Sequence, residues 1–142
     1  MKHYHKSIVL KRFCAVMILL MALAGLAACA KEEKNKVRDL EAVILSEEVL
    51  PAELKEIIDG KKANPFQFTY SDQENLYICI GYGRQETGGY SIALNNLYLT
   101  EAEVVIDTTL LGPSVSDQAK KTATYPYIVV QTELVEQPVV FK

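Results

Sequence analysis

The chain has 142 residues, 49% of them apolar, with 15 Lys plus Arg against 18 Asp plus Glu and a formal net charge of -3. That length suits one domain with a buried core, and the composition excludes an intrinsically disordered chain. With no basic excess, nothing electrostatic points to nucleic acid as a partner.

The first thirty residues have their own composition. His3 and His5 sit with Lys2, Lys6, Lys11 and Arg12 ahead of an uncharged, apolar stretch over residues 13–30. A positive region, an apolar run and then small residues make the layout of a secretory signal. The stretch ends in Leu26-Ala27-Ala28-Cys29, which resembles the lipobox of bacterial lipoproteins. That resemblance implies cleavage between Ala28 and Cys29, a thioether-linked lipid on the Cys29 sulfur, and attachment to the extracytoplasmic face of the cell membrane. The same residues read otherwise as an uncleaved anchor, because about 18 apolar residues just span a bilayer.

Removing residues 1–28 takes away four basic residues, no acids, both histidines and Cys14. It leaves 114 residues with 11 basic against 18 acidic side chains, formally -7. With Cys29 lipidated, Cys79 stands alone, so the mature chain has no intrachain disulfide. Without histidine it builds neither Ser-His-Asp nor Cys-His machinery, and no His-ligated metal centre. It carries no GxxxxGK[ST] phosphate loop and no DxDxDG calcium loop. A pair of carboxylates, as in glycoside hydrolysis, is the one catalytic constellation left open. The expectation is a protein that is not an enzyme and needs no metal or cofactor.

In chain order, residues 29–38 read as a lipidated cysteine and charged tether, and residues 39–142 as a single domain. Residues 40–45 are an apolar, partly β-branched run that predicts a first strand. Leu50, Leu54, Ile57 and Ile58 follow a helical spacing, with Pro51 suited to the first turn and Gly60 to the stop. Residues 66–70 alternate with period two, and residues 71–75 form a polar turn. Residues 76–82 are apolar almost throughout, the pattern of a strand covered on both faces, with Cys79 as a small buried hydrophobe. A glycine-rich loop over 83–89 leads to a strand over 90–99 bent at Asn95-Asn96, and Glu101-Ala102-Glu103 turns the chain into a strand over 104–111. A second loop spans 112–121. Tyr125-Pro126-Tyr127 opens a strand reaching 131 or 132, and residues 137–141 form a closing edge strand. The fold class is mainly β: an antiparallel β-sandwich or partly open barrel of about seven strands, with one N-terminal α-helix packed on it.

Tyr82-Gly83, Thr87-Gly88-Gly89-Tyr90-Ser91-Ile92, Gly112-Pro113 and Thr124-Tyr125-Pro126-Tyr127-Ile128-Val129-Val130 occur here in an order that resembles the C-terminal domain family of the protease complex subunit PrcB. The resemblance runs from about Leu76 to Phe141. It implies a non-catalytic lipoprotein that binds a protein partner, an exported protease that it stabilises or regulates. The candidate partner-binding residues are Arg84, Gln85, Thr87, Gly88, Gly89 and Tyr90 in the first loop, with Tyr125, Pro126 and Tyr127 in the Tyr-Pro-Tyr element. Binding residues concentrate on loops held by a rigid scaffold. Both elements also read as backbone geometry alone, a turn into a strand and the entry to another. The alternative function is an extracytoplasmic module that binds a glycan or small ligand.

Overall fold

The computed structural model describes residues 35–114 and 121–142. The cleavage site, Cys29 and most of the predicted tether lie outside the described residues. Lys36–Lys142 form one compact unit.

Its layers follow from the side-chain alternation of one strand. In β4 (Asn75–Tyr82) the side chains of Leu76, Ile78 and Ile80 point into one apolar cluster and those of Tyr77 and Cys79 into another. Successive residues of a strand face opposite ways, so an unbroken apolar run requires cover on both sides. β4 lies inside a four-stranded sheet, in the order β2 (Val43–Ile44), β7 (Tyr127–Glu133), β4, β3 (Pro65–Ser71), and its two faces are covered from outside that sheet. A second sheet has the order β1 (Lys36–Asp39), β5 (Ser91–Thr100), β6 (Val104–Leu111), β8 (Val139–Phe141). Between the sheets Leu76, Ile78, Ile80, Ile128 and Val130 meet Leu97, Leu99, Val104 and Ile106. Behind the first sheet, Tyr77, Cys79 and Val129 meet Leu50, Leu54 and Ile58 at the helix α1 (Ala52–Lys61). The molecule is a sandwich of two separate sheets with a helix on one outer face, and the sheets do not close into a barrel.

Several elements depart from their expected limits. Strand pairing reaches into the predicted tether: Lys36–Asp39 pair antiparallel with β5, and Arg38 reaches across to Glu133 of the other sheet at 2.5 Å. This eighth strand is exposed at every residue, so its hydrophobic pattern is silent. The strand expected over 40–45 shrinks to Val43–Ile44, while Leu40 is buried in the core and its N–H bonds Leu97 O of β5 in the other sheet at 3.2 Å. Pro51 is the N-cap of α1 rather than its first-turn residue, and Gly60 lies inside the last turn, where nothing within 4 Å penalises or requires it. β8 is an edge strand as expected, but it runs parallel to β6, in the sheet opposite the one that holds β7. The bend expected at Asn95-Asn96 is present as a register shift between Leu94 and Asn96.

Tight turns fix the hairpins. Asp72 Oδ1 accepts the N–H groups of Glu74 and Asn75 at 2.9 and 2.8 Å, and Oδ2 accepts the Tyr77 hydroxyl at 2.8 Å. Three donors on one carboxylate stabilise its charged form and pull its pKa from the ordinary 3.8 to about 2. Thr100 closes the β5–β6 turn in a similar way, its hydroxyl accepting from the Glu103 N–H at 2.9 Å.

Candidate functional site

The two glycine- and proline-containing loops meet at one end of the sandwich. As β4 ends, the chain passes through Gly83 at φ 72°, where a side chain would crowd Pro65. The next segment pairs with the stretch before β7. Gln85 and Thr124 exchange backbone hydrogen bonds, Gln85 N–H to Thr124 O at 2.8 Å and Thr124 N–H to Gln85 O at 3.0 Å. The Thr124 hydroxyl donates to Thr87 O at 2.8 Å, and Gln85 Nε2 donates to Tyr82 O at 3.1 Å. Tyr82 N–H donates to Pro126 O at 3.0 Å, which ties the Tyr-Pro-Tyr element to the end of β4.

The third segment arrives through Gly89. At φ 85° this glycine lies against Pro113, and a Cβ there would sit 2.9 Å from the proline Cβ. Loop 83–90, Gly112-Pro113 and residues 124–127 thus form one cluster, held by backbone bonds and by a glycine that only a residue without a side chain fills unstrained.

Within it the predicted residues separate. Arg84 is exposed, forms an ion pair with Glu86, and lies opposite Tyr125 in the register set by the Gln85–Thr124 bridge. Tyr125 is also exposed. Gln85, Thr87, Gly88, Tyr90 and Pro126 are half-buried, with Gln85 and Thr87 committed to the hydrogen bonds above, and Gly89 is exposed. Tyr127 belongs elsewhere. It is the first residue of β7, packs against the Leu54 and Ile58 layer, and has its hydroxyl pKa raised by desolvation and by Glu47 and Asp59. The strand expected to open at Tyr125-Pro126-Tyr127 begins at Tyr127, so Tyr125 and Pro126 precede it. No described residue forms a cis peptide bond, so Pro126 enters through a trans one.

Thr124 is the residue that sequence reasoning left out of the site, although it joins both loops. Its hydroxyl type and its place beside Tyr-Pro-Tyr were visible, but no local pattern says that residues 87 and 124 meet.

Beside the cluster lies an open cleft of about 530 Å³ between the β3–β4 end of one sheet and β6 of the other, lined by Phe66, Gln67, Ile80, Tyr82 and Thr108 among others. The Tyr82 hydroxyl donates to Thr108 O at 3.1 Å and lies 2.9 Å from the Thr108 hydroxyl, bridging the sheets at the cleft floor. Among the described residues no three His, Cys, Asp or Glu side chains gather to hold a metal ion, and no helix is long and apolar enough to cross a membrane. Chemically the cluster offers a guanidinium, an aromatic hydroxyl and fixed backbone groups.

Residues 76–133 match the family model described as PrcB C-terminal. The match begins where β4 enters the core and ends with β7, so it takes in both sheets' central strands and all three segments of the loop cluster. No curated protein and no solved structure matches the chain.

Proposed function

From a chain whose residues 76–133 match the PrcB C-terminal domain family, we propose a non-catalytic lipoprotein that holds a protein partner, an exported protease, beside the membrane through its loop cluster. Cys29 carries the lipid, the residues between it and Lys36 serve as tether, and the domain works on the extracytoplasmic face. The observation that supports the reading is that Arg84 and Tyr125 are both exposed on segments tied together by the Gln85–Thr124 bridge. Arg and Tyr dominate interface energetics, and a preordered loop loses little entropy on binding. Stabilisation and regulation of the protease both follow from such a contact.

Affinity capture of the full chain from membranes of the cell that makes it tests the reading. The expected result is a stoichiometric protease, with Arg84→Ala and Tyr125→Ala each weakening its retention by about tenfold or more. Both side chains are exposed, so the variants keep the wild-type melting temperature. Capture without any stoichiometric protein overturns the proposal, and glycan binding lost in Tyr125→Ala replaces it with the ligand-binding reading.

A further inference from the structure

The sheet β2-β7-β4-β3 ends in an edge strand, β3, that has no neighbour on its outer side among the described residues. Asp72 N–H donates to Asn75 O at 3.1 Å, so the β3–β4 turn closes on a hydrogen-bonded pair. Antiparallel pairs alternate, which turns the backbone groups of Phe66, Phe68 and Tyr70 toward β4 and leaves those of Gln67, Thr69 and Ser71 facing outward. The strand Pro65-Phe66-Gln67-Phe68-Thr69-Tyr70-Ser71 is seven residues long, about 23 Å, and carries no charge. Edge strands of soluble proteins are normally blunted by charge, by shortness or by a covering element, and apart from Pro65 at one end β3 has none of these among the described residues.

We propose that β3 is a self-association surface, on which two copies of the chain pair β3 to β3 antiparallel about Phe68 and join their four-stranded sheets into one of eight strands. The sequence is self-complementary in that arrangement. Phe68 faces Phe68 of the second copy, and Phe66 faces Tyr70, so the aromatic pairs fall on the helix-bearing face; Gln67 faces Thr69, and Pro65 faces Ser71, on the other. This register overlaps all seven residues, whereas any slip leaves some unpaired, and a slip of one sets aromatic against polar faces. Aromatic cross-strand pairs are among the favourable ones. The ends are opposite in charge as well: the antiparallel arrangement sets the turn with Asp72 and Glu74 beside the segment with Lys61 and Lys62 of the second copy, Lys62 being already paired with Asp59. β3 lies outside the residues matched to the PrcB family and outside the loop cluster, so this inference stands apart from the proposed function.

Two full-length chains, one carrying Gln67→Cys and the other Thr69→Cys, are coexpressed with tags of different size and oxidised in the membrane. Residue 67 faces 69 at a distance a disulfide spans, whereas like positions of the two copies lie more than about 7 Å apart. The expected result is a covalent heterodimer linked 67 to 69, mapped by mass spectrometry, with neither single chain cross-linking alone. A Gln67→Lys, Thr69→Lys chain sets like charges opposite each other twice. It should sediment at half the mass of the detergent-extracted wild type, with its melting temperature unchanged when both are diluted to monomer. A wild type that is monomeric at high concentration, or a position 67 that cross-links to a different protein and not to a second copy, overturns the proposal.

Discussion

Asp72 shows how much a single turn residue decides. Its carboxylate gathers two backbone N–H groups and the Tyr77 hydroxyl, so the folded state holds the charged form and its pKa falls to about 2. A folded pKa below the unfolded one means that the stabilisation is complete above the ordinary 3.8 and is lost as pH falls toward 2. Asp72→Asn keeps an acceptor but not the charge. The melting temperature of the wild type should therefore exceed that of Asp72→Asn at pH 5, and the gap should close as the pH is lowered to 2, measured by circular dichroism. Cys79 makes the opposite point. Burial with no compensating partner pushes its thiol up to about 12, which leaves it a core side chain and not a nucleophile. Its role was legible from the apolar run around it, as was the polar turn over residues 71–75, whereas the bond from the Tyr77 hydroxyl to Asp72 was not.

At the scale of elements, the legible ones were those whose burial repeats along the chain. β3, β4 and β6 stand close to where alternation or continuous apolarity put them, and α1 follows its stripe. Leu54 and Ile58 are 0% and 1% exposed, and the N-cap Pro51 supplies no side-chain hydrogen bond to the helix. Leu54→Ala should cost about 2–5 kcal/mol in urea-induced unfolding, because a cavity opens between α1 and the sheet. Ile57→Ala, at a half-buried site, should cost less. β1 was illegible because an edge strand made of Lys36, Val37, Arg38 and Asp39 is exposed throughout, and only the neighbouring β5 makes it a strand. The parallel docking of β8 was equally hidden, since a three-residue segment carries no sign of its partner's direction.

At the scale of the whole molecule, the basic, apolar first 28 residues contrast with the acidic remainder, and the proposed anchor at Cys29 makes them separable. Cys29→Ala should leave a protein of larger mature mass that no longer partitions with detergent as a lipid-modified chain does, read by mass spectrometry and phase separation. An unchanged mass and partitioning would mean that the segment stays attached as a span.

The amino-acid sequence by itself determined the two-sided burial of β4, the helical stripe, the positions of the turns and the family resemblance carried by residues 76–133. Each of these depends on patterns repeating within a few residues, where hydrophobic burial and backbone geometry act locally. Tertiary structure alone decided that Gln85 bridges Thr124, that Gly89 seats against Pro113, that Tyr125 stays at the surface while Tyr127 joins the core, and that β3 is left with an open edge. Those outcomes join residues far apart in the chain, 39 positions for Gln85 and Thr124 and more for Tyr127 and Leu54, and strand order is set by how two whole sheets bury their faces together, which no short window of sequence records.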